Sequence, residues 1–162
     1  MNYLGFNQGE TKKTVSTLNQ LLANYHIYYQ NLRNFHWNVS GENFFDLHEK
    51  FEALYTDARI KIDEIAERIL TLRERPVSTL TDYLNHTEVV EYGKVVNSSE
   101  MVEKILDNHR TLIKSMRAAI KAAGEIDDEG TIDMVGGFLG ELEKKSWMLD
   151  AWLQSQTVVT NN

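Results

Sequence analysis

The chain has no cysteine, only one proline and no apolar run long enough to cross a membrane. Without cysteine it can form neither a disulfide-stapled fold nor a thiolate metal site. The single proline, Pro76, leaves long stretches free to form uninterrupted helices. Because the segment from Met1 to Thr14 holds no apolar core of signal-peptide length, we expect a cytoplasmic protein without membrane attachment.

Basic side chains are also scarce. Lys and Arg number 17 against 24 Asp and Glu, which gives a formal net charge of −7. Nucleic-acid binding needs clustered Lys and Arg to neutralise phosphates, and Lys12 with Lys13 is too short a pair to make a basic arm. DNA binding is therefore not expected.

Four segments repeat apolar residues at the spacing of amphipathic helices, over about residues 15–36, 44–73, 102–123 and 132–153. Gly41, Pro76 and Gly124 fall where the first three helices should end. Leu80, Tyr83 and Leu84 predict a short helix in the long connection, 77–97. The prediction is one all-α domain over residues 1–162, a four-helix bundle with an extra helix between helices two and three. Short flexible termini are expected at about 1–10 and 156–162.

Five ligand-type residues stand out in the first half of the chain: His36, His48, Glu52, Asp63 and Glu67. Imidazole with several carboxylates suits iron(II), with zinc or manganese as alternatives. If residues 44–73 form one helix, the last four of these residues lie on the same face of it. His48 and Asp63 are nevertheless roughly 22 Å apart along the helix axis. Bonds of roughly 2 Å prevent both from holding the same ion. Either there are two unrelated sites, or an antiparallel copy of the helix brings Asp63 and Glu67 to His48.

The numbering favours the second arrangement. His48 with Glu67, and Glu52 with Asp63, share one midpoint between residues 57 and 58. A single two-fold axis there satisfies both pairs, as an isologous dimer requires. A solvated surface is the ordinary expectation for any single carboxylate, and it is a weaker explanation for five matched positions.

The run from Asn34 to Gly41 reads Asn-Phe-His-Trp-Asn-Val-Ser-Gly, and ligand-type and apolar residues follow it at fixed spacing. Those that follow are Phe44, Leu47, His48, Phe51, Glu52, Tyr55, Asp63, Ala66, Glu67 and Arg68. This pattern closely resembles the Dps family, or miniferritins. The segments Thr131-Ile132-Asp133 and Trp147-Met148-Leu149 are also similar to that family, so the resemblance covers nearly the whole chain.

The resemblance implies a ferritin-like fold and a hollow homododecamer built from two-fold dimers. Such a shell oxidises iron(II), preferably with hydrogen peroxide and otherwise with oxygen, and stores ferric mineral as protection against oxidative damage. His36 and His48 match the family's ferroxidase histidines, and Asp63 and Glu67 match the carboxylates that the two-fold partner contributes. Glu52 stands where many members have aspartate.

Asp127, Asp128, Glu129 and Asp133 form an acidic cluster at the start of the last helix. Acidic residues there are ordinary helix caps and partners of the helix dipole. Around a three-fold axis they would also line a pore through which iron enters, as the family's equivalent acids do. Both interpretations stay open, with the pore favoured for Asp133.

Three other functions fit the sequence less well. A DNA-binding, nucleoid-compacting relative would need a basic tail, which this chain lacks. A di-iron site inside each bundle would need Glu-x-x-His motifs, of which the chain has none. A structural bundle would leave the five ligand-type residues coincidental. His109, on the apolar register of the third helix, is expected to be buried with a hydrogen-bond partner.

Overall fold

The computed structural model describes residues 1–160, with side chains described to residue 156. Asn161 and Asn162, at the end of the terminus expected to be flexible, lie outside the described residues. Within them the chain is helical and contains no strand, and none of these helices is long and apolar enough to span a membrane. The helices are α1 (Lys12–Asn38), α2 (Phe44–Thr71), α3 (Leu80–His86), α4 (Ser98–Gly124) and α5 (Glu129–Thr160). The predicted all-α bundle, with its short helix in the connection, is confirmed.

Contacts between helix ends give the direction of each helix. Lys13, near the start of α1, forms a 2.5 Å ion pair with Glu125, just after α4. Asn31, near the end of α1, donates a 2.9 Å hydrogen bond to Asn108 in the middle of α4. Helices α1 and α4 are therefore antiparallel. Since the short loop after α1 also makes α2 antiparallel to α1, helices α2 and α4 run parallel, and the connection between them must return along the bundle.

The buried residues of α2 follow the helical period, at positions 47, 51, 54, 58, 61, 65 and 69. Six of these are apolar, and each large one stabilises the fold by about 1.5–3 kcal/mol on burial. The seventh is Lys61, a charged residue on the apolar stripe. A buried ammonium group requires charged or hydrogen-bonding partners.

Helix α2 ends earlier than Pro76 suggests. Its last helical residue is Thr71, and Arg73 adopts a left-handed backbone conformation with φ of 66°. The amide of Glu74 then donates to the carbonyl of Ile69 at 3.2 Å, which closes the helix end. The end predicted at about residue 73 is therefore close to the observed one, but a left-handed cap at Arg73, and not Pro76, terminates the helix, without the glycine that usually marks such a cap.

Asparagine side chains on α1 hold the returning connection in place. Asn19 accepts a 2.9 Å hydrogen bond from the amide of Val77, and Asn24 accepts one of 2.7 Å from the amide of Glu88. Further along, Asn31 donates to the carbonyl of Val90 and accepts from the amide of Tyr92, while Asn34 donates to the carbonyls of Tyr92 and Gly93. These bonds satisfy backbone groups that have no ladder or helix to pair with.

Candidate metal centre

His36 and His48 lie side by side where α1 and α2 meet. His36 is in the last turn of α1 and His48 is in the second turn of α2, separated by a tight loop in which Gly41 has φ of +92°. A residue with a side chain adopts that conformation with strain, so glycine makes the sharp return between the helices feasible. The two imidazole rings stack with centroids 3.8 Å apart.

Each of these imidazoles is bound to the backbone of the other. His36 Nδ1 lies 2.7 Å from the carbonyl oxygen of His48, and His48 Nδ1 lies 2.8 Å from the carbonyl oxygen of His36. A carbonyl oxygen can only accept a hydrogen bond, so both Nδ1 atoms carry a proton, and in the neutral imidazole Nε2 is then the nitrogen that keeps a lone pair. This is the tautomer in which a histidine binds metal through Nε2, with the second nitrogen fixing the ring.

Aromatic side chains hold the pair in position. The Phe44 ring stacks on His48 at a centroid distance of 4.9 Å, and the Tyr55 ring contacts His36 edge-on at 5.3 Å. His36 is buried, while His48 is partly exposed. The imidazoles therefore have little rotational freedom before any ligand arrives, which lowers the entropic cost of binding one.

The three predicted carboxylate ligands occupy the exposed face of α2. Glu52 follows His48 by one turn, whereas Asp63 and Glu67 lie toward the opposite end of the helix. Among the side chains that the structure describes, none forms a hydrogen bond or ion pair with these three carboxylates. The same part of the chain contains no group of three His, Asp or Glu side chains close enough to hold a metal. One chain thus brings His36, His48 and Glu52 to one end of α2 and leaves Asp63 and Glu67 at the other.

Asp57, on a different face of α2, lies in a charge cluster that joins α2 to α5. Lys61 Nζ is 2.7 Å from Asp57 and 2.5 Å from Glu141, and Lys145 Nζ is 2.7 Å from Asp57. Burial alone would raise the pKa of Asp57, but hydrogen bonds and charge interactions with the two lysines hold it below its usual value. The pKa of Lys61 is raised by Asp57 and Glu141 against the opposing effect of burial. Ligand spacing and periodicity did not predict this cluster, although a lysine on the apolar stripe of α2 is a signal of it.

The acidic residues near the start of α5 separate into two kinds. Asp128 is buried, accepts hydrogen bonds from the amide and hydroxyl of Thr131 at 3.1 and 2.6 Å, and forms an ion pair with Arg68. A Cβ atom on Gly130 would lie only 2.8 Å from that guanidinium group, so glycine makes room for the pair. Helix capping therefore accounts for Asp128, while Asp127 and Asp133 have exposed side chains.

The chain is similar to proteins of known family along most of its length. The family model for the ferritin-like domain matches residues 15–157. DNA protection during starvation protein 2 of Bacillus anthracis is 40% identical over 142 residues, which are 88% of this chain and 97% of that protein.

Solved structures give the same result. Dps from Vibrio cholerae O1, described as a member of a broad superfamily of ferritin-like diiron-carboxylate proteins, is 40% identical with a TM-score of 0.91, covering 94% of this chain and 96% of that one. Dps from Staphylococcus aureus is 40% identical with a TM-score of 0.85, covering 91% and 97%. With its ferritin-like bundle and its likeness to these proteins in both sequence and structure, the chain belongs to the Dps family.

Proposed function

We propose that the protein is a ferroxidase and iron store whose oxidation sites form between two copies of the chain. The observation that carries this proposal is the reciprocal hydrogen bonding of His36 and His48, which directs both Nε2 atoms away from the backbone. Glu52 follows His48 by one helical turn, and its carboxylate has no hydrogen-bond or ion-pair partner among the described residues. Asp63 and Glu67 of a second copy complete the ligand set. Nitrogen and carboxylate donors of this mixture suit iron(II).

Apolar side chains on the same face of α2 support the two-fold arrangement. Phe45 is 82% exposed and Leu70 is 56% exposed. Their midpoint is the one shared by the two ligand pairs, so an antiparallel copy places Phe45 of each chain beside Leu70 of the other. Large exposed apolar side chains are typical of surfaces that become buried in an interface.

In this function iron is the substrate. The histidines bind iron(II) as neutral ligands, and the carboxylates offset its positive charge and favour the higher charge of iron(III). Hydrogen peroxide, the oxidant that we propose, accepts two electrons, while each iron(II) supplies one. The iron(III) formed then passes into a hollow shell of twelve subunits and is stored there as mineral.

Hybrid assemblies test the shared site. Subunits with His48→Ala and subunits with Asp63→Ala, co-expressed with different tags, should form mixed dimers in which one of two sites is intact. With random pairing, about a quarter of all sites are restored in a two-fold dimer. Iron(II) oxidation, followed by absorbance on adding peroxide, should therefore exceed that of either variant alone.

The control is a mixture of His36→Ala and His48→Ala subunits. Both histidines of a site come from one chain, so every mixed site still lacks one of them and activity should not return. Equal activity in the two mixtures would contradict a shared site.

We further propose that iron reaches the shell interior through acidic pores lined by Asp127 and Asp133. Their exposed carboxylates, repeated around a three-fold axis, would concentrate hydrated cations, and the effect should weaken with ionic strength. Asp128 contributes to the helix end instead, through Thr131 and Arg68.

The alternative function, compaction of DNA, has less support. The net charge of −7 opposes association with phosphates. A gel-shift assay at moderate salt, with divalent cations removed, should show no retarded complex. A shift that disappears at high salt would favour the alternative.

A further inference from the structure

A hydrogen-bonded chain crosses the bundle core at a distance from the metal centre. Tyr28 Oη lies 2.9 Å from His109 Nε2, His109 Nδ1 lies 2.8 Å from Ser146 Oγ, and the Ser146 hydroxyl donates to the carbonyl of Leu142 at 2.7 Å. Tyr28 is 2% exposed and His109 is 1% exposed. This series of hydrogen bonds joins α1, α4 and α5. It also confirms the expectation that His109 is buried with a hydrogen-bond partner.

The direction of each proton in this chain is fixed. The Ser146 hydrogen points to the Leu142 carbonyl, so Ser146 Oγ accepts the Nδ1 proton of His109. His109 Nε2 therefore presents a lone pair, and the Tyr28 hydroxyl donates to it. Burial and the charge of Lys145 lower the pKa of His109 to about 3, while burial and the charge of Asp57 raise the pKa of Tyr28. Near neutral pH a protonated phenol thus faces an unprotonated base.

This arrangement favours one chemical event, oxidation of the tyrosine. A phenol that loses an electron becomes a strong acid, and in a buried site it keeps the charge unless a base is in hydrogen-bond contact. His109 Nε2 is such a base, at 2.9 Å. Tyr25 provides a comparison, since it is equally buried and its ring lies 6.0 Å from that of Tyr28. Among the described residues Tyr25 has no imidazole in hydrogen-bond contact.

Aromatic contacts connect this pair with the metal centre. The His36 ring contacts Tyr55 at 5.3 Å, and the Tyr55 ring contacts Tyr29 at 5.9 Å. Tyr29 is the neighbour of Tyr28 in α1. Tyr28 precedes His36 by eight residues, or about 12 Å along the helix axis, a separation that electron tunnelling through protein can span.

We propose that Tyr28 and His109 form a redox-active pair that takes up one-electron oxidising equivalents from the metal centre. The proposal rests on the proposed ferroxidase function. The oxidant is of the hydroxyl-radical class, formed when one iron(II) gives one electron to hydrogen peroxide and the O–O bond breaks, leaving iron(III) and hydroxide. Tyr28 supplies the second electron, which reduces this species to a second hydroxide, and the phenolic proton moves to His109 Nε2.

The products of that step are a neutral tyrosyl radical and a protonated His109. A second iron(II) later returns an electron to the radical and becomes iron(III), and the proton moves back from Nε2 to the phenolic oxygen. In total, two iron(II) ions reduce one peroxide to two hydroxide ions. The pair thus lets peroxide reduction finish at a site that holds only one iron, with no free radical released.

The test places 3-fluorotyrosine at position 28, which keeps the hydroxyl group and adds a fluorine splitting to the radical spectrum. Assembled protein is loaded with iron(II), mixed with hydrogen peroxide, frozen rapidly and examined by electron paramagnetic resonance. We expect a tyrosyl radical with fluorine splitting. The radical signal should be lost in Tyr28→Phe, reduced severalfold in His109→Gln and retained in Tyr25→Phe.

A second measurement omits iron. The labelled protein is oxidised by photogenerated ruthenium(III) tris-bipyridine, which should give the same fluorine-split radical. A protein that oxidises iron(II) without a fluorine-split radical overturns the proposal, whatever the ruthenium measurement gives. If the protein oxidises no iron(II), the ferroxidase proposal fails and the ruthenium measurement alone decides whether Tyr28 and His109 are a redox pair, with an unsplit or absent radical overturning it.

Discussion

Helix α2 carries two sets of acidic side chains that differ in the contacts they make. Asp57 lies between two ammonium groups, those of Lys61 and Lys145. Asp63, six residues later and roughly 120° around the helix, has no such partner among the described residues. A paired carboxylate is part of the structure that holds α2 on α5, whereas an unpaired one has its charge available for a ligand. Both residues are aspartates, so residue type alone does not distinguish a structural carboxylate from one available to a ligand. The difference comes from the contacts that α5 makes with Asp57.

The largest expected effect comes from removing the unpaired set. Asp63→Asn combined with Glu67→Gln should slow iron(II) oxidation by about a hundredfold or more, because it removes both carboxylates that we propose a second copy contributes. The free energy of unfolding, measured in urea, should change by less than about 0.5 kcal/mol, since neither side chain has a hydrogen-bond or ion-pair partner among the described residues. Iron oxidation at the original rate would mean that neither residue is a ligand.

The reverse pattern is expected for the paired set. Lys61→Met should lower the free energy of unfolding by about 2 kcal/mol, because it removes a buried ammonium group from two carboxylates. This loss is smaller than the full cost of breaking a buried pair, since Lys145 still neutralises Asp57 and Glu141 can be hydrated. Iron oxidation per folded subunit should stay unchanged.

Lys114→Met is the matched control for that variant. Its partner Glu88 lies 3.3 Å away and both side chains are exposed, so the loss should be within about 0.5 kcal/mol. Equal losses in the two lysine variants would show that burial does not strengthen the Lys61 cluster.

The acids near α5 extend the comparison to a second pair. Asp128→Ala should cost about 2 kcal/mol of unfolding free energy, because it removes a helix cap and the partner of Arg68.

Asp133→Asn should leave stability unchanged and slow iron uptake severalfold at low ionic strength, with recovery as salt is added. Uptake that does not respond to Asp133→Asn would argue against the proposed pore.

The smallest effect is expected at Glu52. Glu52→Asp keeps a carboxylate one turn after His48 and shortens it by one methylene group. Iron oxidation should fall by less than about threefold, or under ~1 kcal/mol in barrier height. Glu52→Ala serves as the control, and a Glu52→Asp protein as inactive as Glu52→Ala would show that the length of the side chain, and not only its charge, is required.

Much of the fold could be predicted from periodicity, because apolar spacing and glycines mark long helices directly. The pairing of α1 with the returning connection could not, since asparagines on a helix carry no sign of the distant backbone groups they bind. The same limit applies to Lys61, whose partner Glu141 is 80 residues away. A helix end formed by Arg73 in a left-handed conformation was missed because arginine rarely takes that role.

For the metal centre, spacing predicted the candidate ligands and their division between two copies, and that division stays a prediction. Spacing could not predict which ring nitrogen of each imidazole is available to a metal. The free Nε2 atoms of His36 and His48 follow from carbonyl contacts across a tight loop. His109, which has both ring nitrogens engaged, shows how a histidine of the same chain is made unavailable to metal.

The asparagines of α1 have a consequence for competition between sites. A connection held by Asp or Glu would place extra carboxylates along the bundle, each able to capture a divalent cation before it reached the histidines. Asn19 and Asn24 accept their hydrogen bonds with amide groups that neither titrate nor carry charge. Asn31 and Asn34 also donate to backbone carbonyls, which an ionised carboxylate could not do. These hydrogen bonds therefore do not depend on pH, and under the proposed function the asparagines place no charged side chain that would compete with the histidines for iron.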